Sequence, residues 1–275
     1  MKSRAKISEE RVFSVGSPMS LRLSAAATAN RTGITGNGVI FHVFQGGQHM
    51  NAFRKGGLFP ALLGMAIPAL TGVMPEALAD TPEKGGTLTI GSMPGAENGT
   101  AEPLAWKVLD VQDGRALVIT EKCPDAIPYH AVLTDITWEN SDIRKWLNGE
   151  FYQKVFSASE KDLVIQVRLD NPDNAKYPTR GGNSTEDRVF LLSNDEVVRY
   201  FPEVSSRTCA PAPLAVLHRA RRDRDNGNVG WWTRTPGFFQ GYASYVLSTG
   251  DLGVIGHFAD FEDNTVRPAM WIRIR

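Results

Sequence analysis

Two adjacent tryptophans in the segment Gly230-Trp231-Trp232-Thr233-Arg234-Thr235-Pro236-Gly237 constrain this chain more than any other feature. Neighbouring residues of an extended segment point to opposite faces. The pair therefore predicts a strand with one indole in a core and the other against a second surface, Arg234 sharing a face with Trp232. Pro236-Gly237 ends the run. A second segment, Val266-Arg267-Pro268-Ala269-Met270-Trp271, lies close to the C-terminus and predicts a partner strand.

The N-terminal third must be set apart before any folding argument. Met50 to Lys55 is a short basic start, residues 58–74 are apolar and uncharged, and Ala77-Leu78-Ala79 offers small residues at a cleavage spacing. That order is the pattern of a secretory signal peptide over 50–79, cut after Ala79. The apolar run is short for a membrane-spanning helix and carries Pro60 and Pro68, so the membrane is met only during export. Residues 1–49 show no sustained period and read as a non-native extension ahead of a start at Met50; a genuine disordered extension is the other reading. The mature chain, 80–275, is then secreted or periplasmic.

Charge narrows the partners. The chain is formally neutral, with 30 basic and 30 acidic residues. Residues 1–79 carry 8 of the basic and 3 of the acidic ones, which leaves the mature part net acidic by five. Nucleic-acid binding needs a basic face and is not expected. The two cysteines, Cys123 and Cys209, could pair in an oxidising compartment or stand as separate thiols; sequence decides neither. No CxxC, HExxH or Cys/His cluster is present, so neither a metal site nor a cofactor is expected.

From residue 80 onward strands and short helices alternate without regular βαβ units, which predicts an α+β domain with mostly antiparallel strands, short helices and long loops. Residues 105–111 and 115–120 flank Asp113-Gly114 and read as a hairpin. Ser141 caps a helix over 142–148 that Asn148-Gly149 should end. Capping boxes at Ser157–Glu160 and Ser193–Glu196 predict two further helix starts. Residues 163–169 and 188–192 read as strands and 170–187 as a long loop. Residues 205–228, rich in Arg, read as a solvated surface loop. Four strands follow over 229–234, 243–248, 252–256 and 266–274.

The stretches TWENSDIRKWLN, FYQKVFSASEKDLVI, STEDRVFLLSNDEV, WWTRTPG and VRPAMWIRI occur in that order. Together they resemble a bacterial domain family of unknown function, common in exported and surface proteins, over about residues 86–275. The pattern is also similar to C-type-lectin-like folds, which include formylglycine-generating enzymes. The resemblance implies a single lectin-like domain whose C-terminal strand pairs with the N-terminal hairpin. Segment 210–228 departs from the pattern and reads as a local insertion. Arg144, Arg234 and Arg267 match family positions and either pair with acids such as Asp187 or Glu196 or meet a ligand. Trp146, Asp187, Trp231 and Trp271, with Arg144 and Arg267, are expected to be structural.

Function is not written plainly in these residues. The first reading is a non-catalytic recognition module for a glycan, a peptide or a surface protein, with Trp232, Arg234, Phe238, Phe239 and Tyr242 beside Tyr177, Arg180 and Asn183 as contacts. Aromatic faces next to Arg and Asn suit polar ligands with apolar patches. The alternatives are an extracytoplasmic enzyme, either a hydrolase or one like the formylglycine-generating group, and an envelope scaffold. His130, His218 and His257 stand in no catalytic motif, and no catalytic residue is assigned.

Overall fold

A computed structural model describes residues 82–95 and 100–274. The signal peptide, its cleavage site and residues 1–49 lie outside the described residues. Among those described, no helix is long and apolar enough to cross a membrane.

Two five-stranded sheets and one short ribbon build the domain. The strands are β1 (Thr87–Pro94), β2 (Ala101–Gln112), β3 (Arg115–Thr120), β4 (Asp125–Ala126), β5 (Val164–Ile165), β6 (Val167–Leu169), β7 (Thr185–Asp187), β8 (Trp231–Pro236), β9 (Tyr242–Val246), β10 (Leu252–Phe258), β11 (Thr265–Val266) and β12 (Ala269–Arg273). The helices are α1 (Asp142–Trp146), α2 (Tyr152–Val155), α3 (Ala158–Lys161), α4 (Asn194–Tyr200) and α5 (Pro213–Leu217).

The first sheet has the order β1-β2-β3-β12-β5, antiparallel throughout. Its hairpin turns at Asp113 and Gly114, which take φ of 50° and 70°. Two successive left-handed residues make the primed turn whose twist suits adjoining strands, as the Asp-Gly pair predicts. β12 pairs with β3 from Ala269 opposite Ile119 to Arg273 opposite Arg115. The C-terminal strand thus closes on the opening hairpin, as expected. The second sheet has the order β10-β9-β8-β11-β4, antiparallel except where β8 meets β11. A mixed α+β, antiparallel-rich fold with short helices is what the alternation of elements predicts.

Four local expectations are corrected. The helix does not stop at Asn148-Gly149: α1 runs through a π turn over Leu147–Phe151 into α2. Asn148 instead bonds the neighbouring segment, donating to the Val189 carbonyl at 2.9 Å and accepting from Arg188 N at 2.7 Å. Such a bulge appears where a side chain draws the backbone out of its usual repeat. Residues 163–169 divide into β5 and β6, which belong to different sheets. Residues 189–192 are buried but make a single bridge, Phe190 to Ala269, rather than the ladder expected over 188–192, and Arg188 is exposed. Segment 205–228 is a solvated loop only in part: it holds α5 and part of a 3₁₀ turn over Val204–Arg207, with Ala215 and Arg207 buried, whereas Arg219, Arg221, Arg222 and Arg224 are exposed as expected.

Both indoles of the central pair are fully buried. Their strand is covered on both faces. Trp231 lies under the Arg267 guanidinium, 5.2 Å from the ring centroid, and donates to the Arg207 carbonyl at 3.0 Å. Trp232 packs edge-on between Tyr129 and Tyr245 and donates to the Ile127 carbonyl at 3.0 Å. The expectation of one indole in each of two environments holds for direction, and both environments are interior.

The capping box at Ser157–Glu160 forms, and Glu160 also reaches Gly91 N at 2.7 Å, tying α3 to a bulge in β1. Gly91 is left-handed there, with φ of 76°, and a Cβ would fall 2.7 Å from a Val155 methyl. Burial raises the Glu160 pKa, but hydrogen bonds from Ser157 and Gly91 outweigh it and hold the carboxyl below its usual range. A carboxyl depressed in the folded state stabilises above its unfolded value and loses that contribution as pH falls through the folded one. Glu160→Gln is expected to cost about 1 kcal/mol at neutral pH and progressively less as pH falls through the lowered folded value, read as urea midpoints across an acid pH series. An equal cost across the series would show that the charge is not what matters.

Candidate functional site

The loop 171–183 is pinned onto the β8–β9 turn. Asn174 Nδ2 donates to the Pro236 carbonyl at 2.8 Å and to Val254 at 2.9 Å, and Thr179 Oγ1 to Gly237 at 2.6 Å. Gln240 accepts from Arg180 N at 2.9 Å and donates to the Arg180 carbonyl at 2.8 Å. At Gly181 a Cβ would fall 2.1 Å from the Asn171 carbonyl, so the loop can close on itself only with glycine there. Long polar loops usually keep their conformational freedom; side-chain amides remove it here.

Pinning the loop completes a row of aromatic rings. Tyr177 meets Phe238 edge-on at 4.8 Å, Phe238 meets Phe239 at 4.3 Å, Phe239 meets Tyr242 at 5.4 Å, and Tyr242 meets Phe258 at 4.6 Å. These rings are not core. Phe238, Phe239 and Phe258 are 40%, 56% and 43% exposed, and Ile255 is 58% exposed. Leu133, also exposed, borders the row at Gly241. The exposed rings and Ile255 thus leave apolar side chains uncovered on this face of the domain.

Of the residues predicted as contacts, Tyr177, Phe238, Phe239 and Tyr242 come together in this row. Arg180 lies at its rim, its exposed guanidinium 3.7 Å from Asp173. Asn183 is exposed but turns to Glu139, donating at 3.0 Å. Trp232 and Arg234 are withdrawn from ligand contact by burial, at 0% and 3% exposure. Arg234 instead holds Glu196 through both terminal nitrogens and donates to the Leu191 and Asp170 carbonyls. Arg144 donates from Nε to Asp187 at 2.6 Å. Arg267 donates to the Thr120 and Arg207 carbonyls and lies over the rings of Trp231 and Phe201. Trp146 packs against Phe151 at 5.1 Å, and Arg115 covers Trp271 at 4.6 Å.

Sequence reasoning missed Phe258 and the cleft beside it. The row continues from Phe258 to His257 at 5.5 Å, and His257 stacks on Phe261 at 3.9 Å. Those two rings, with Tyr245, wall a cleft of about 320 Å³ that also takes in Arg221, Arg222 and Asn264. Asn264 is buried, and its Nδ2 has no hydrogen-bond partner; nor has Nδ1 of His257. Burial, then the Arg221 charge, lowers the His257 pKa, so the ring is neutral at physiological pH. The strand expected over 252–256 stops short of both residues, and only the longer observed strand, Leu252–Phe258, brings them to this surface.

Elsewhere, two histidines hold carboxylates: His130 with Asp142 at 2.7 Å and His218 with Asp125 at 2.6 Å. Neither imidazole is hydrogen-bonded to a hydroxyl or thiol among the described residues, as nucleophilic catalysis would use. Among those residues no three His, Cys, Asp or Glu side chains gather as a metal site would need.

Fold and surface together define a mixed α+β domain of mostly antiparallel strands, with a row of aromatic rings running from the pinned loop across the β8–β9 turn to the end of β10. Residues 113–274 match the family described as Domain of unknown function (DUF6273), and the chain belongs to that family. No solved structure matches the chain.

Proposed function

We propose that the chain is an exported, non-catalytic recognition module that binds a glycan along the aromatic row. The observation that carries this reading is the exposure of Phe238 and Phe239, in a turn fixed by hydrogen bonds from the adjoining loop, beside Phe258 at the end of β10. A preordered surface loses little entropy when it binds. Ring faces suit the C–H faces of sugars, and the unpartnered Asn264 amide in the adjoining cleft suits a hydroxyl or carboxylate. The signal-peptide pattern over 50–79 supports an extracytoplasmic address, and the closure of β12 on the opening hairpin supports a C-type-lectin-like arrangement.

Binding of the full chain to a glycan array is the test. Phe239→Ala together with Phe258→Ala is expected to weaken the strongest interaction about tenfold or more, from roughly 0.5–1.5 kcal/mol per ring. Unchanged affinity in a folded double variant would move the binding face elsewhere. Retention of a protein or peptide in place of every glycan would remove the ligand class and leave the face.

A further inference from the structure

Cys123 and Cys209 lie 86 residues apart in sequence, yet their Sγ atoms are 2.7 Å apart. Both residues are buried, at 0% and 2% exposure. The backbone holds them there independently of the sulfurs. Cys123 N donates to the Ala210 carbonyl at 3.0 Å, and Ala212 N donates to the Cys123 carbonyl at 2.9 Å. Those two bonds make a parallel bridge between Cys123 and Pro211. Val229 N donates to the Cys209 carbonyl at 2.9 Å, so the backbone holds Cys123 through both its amide and its carbonyl and Cys209 through its carbonyl.

We propose that Cys123 and Cys209 are a preformed oxidation site, joined as an intramolecular disulfide when the chain folds in the presence of a disulfide-bearing oxidant. The thiolate of one cysteine attacks the oxidant, forming a mixed disulfide and expelling the first thiol. The second cysteine attacks its partner's sulfur in that mixed disulfide, forming the Cys123–Cys209 bond and expelling the second thiol. The chain loses two hydrogens and two electrons, and the oxidant is reduced to two thiols.

Burial and the neighbouring Cys209 push the Cys123 thiol well up. Burial also opposes ionisation of Cys209, but the Cys123 hydrogen bond and the Arg267 charge outweigh it and pull Cys209 down. Arg267 thus serves the sulfur pair as well as Trp231. The native fold shields both sulfurs from solvent, so the bond forms during folding and then resists exchange. The bond's constraint is local to the connection between β3 and β4. It fastens the strand end at Glu121–Asp125 to segment 204–229, which carries α5 and the arginines of the cleft.

The full chain, unfolded and reduced, is refolded with oxidised glutathione, then denatured and alkylated. The expected product is a monomer two hydrogens lighter than the reduced chain. It takes up no alkylating reagent until reduced, and a cross-linked peptide spans the two cysteines. Cys123→Ala is expected to leave Cys209 capped by glutathione, which shows that the partner is internal. The oxidised chain should melt roughly 5–15 °C above the reduced one, a difference absent in Cys123→Ala/Cys209→Ala. Two alkylated thiols in the refolded wild type, or a persistent glutathione adduct on either, would overturn the proposal. Neither outcome depends on what the aromatic row binds.

Discussion

Asp187→Ala is expected to cost about 3–5 kcal/mol, enough to unfold a large fraction of a domain of ordinary stability. The carboxylate is fully buried and accepts from four side chains: Arg144 at 2.6 Å, Thr185 at 2.7 Å, Trp138 at 2.9 Å and Asn148 at 3.3 Å. Removing it leaves the Trp138 indole N–H and the Thr185 hydroxyl unmatched inside the core. An orphaned buried donor costs its full desolvation, not the modest net worth of one hydrogen bond. Asp187→Asn keeps the shape but turns one acceptor into a donor that faces other donors, so it should also destabilise strongly. Urea denaturation followed by tryptophan fluorescence reads both, as a lower midpoint at constant slope. A loss under 1 kcal/mol for the alanine variant would mean that water replaces the carboxylate.

Arg234→Met should have a similar effect by a different route. Methionine roughly fills the space but abandons Glu196 and the carbonyls of Leu191 and Asp170. The guanidinium side chain is 4% exposed and Glu196 28%, so the acid can recover water where the arginine cannot. Breaking a buried pair from the arginine side is expected to cost about 3–5 kcal/mol, and Glu196→Gln nearer 1–3 kcal/mol. The ordering of the two, measured by the same urea titration, is the informative result. Equal losses would place the worth of the contact in the ion pair itself. A larger loss for Arg234 places it in the carbonyl contacts that join α4 to the loop after β6.

These two hubs also show what could be read from the chain beforehand. Signals carried by residues close in sequence were legible: the Asp113-Gly114 turn, the capping boxes at Ser157 and Ser193, and the Ser141 cap. The association of Arg144 and Arg234 with Asp187 and Glu196 could be posed because each arginine needed an acid, though sequence could not say which acid went with which. What failed depended on the other side of a surface. Trp232 and Arg234 looked available because strand alternation says which way a side chain points, not whether another layer waits there. Tyr129 and Tyr245 cover Trp232, and segments far away in sequence surround Arg234. The aromatic row was half legible. Phe238, Phe239 and Tyr242 are close in sequence, but Phe258 joins them only through the pairing of β10 with β9. Asn148-Gly149 misled because Asn serves equally as a helix stop and as a bracket for a neighbouring backbone, and only the neighbour decides.

The position of β12 in the first sheet has a consequence in time. It is the last strand made, yet it lies between β3 and β5, and β5 pairs with nothing else in that sheet. Until β12 has been made, the first sheet lacks its member between β3 and β5, and β5 has no partner there. Synthesis alone therefore cannot complete this domain from its beginning, as it can a domain closed by early neighbours.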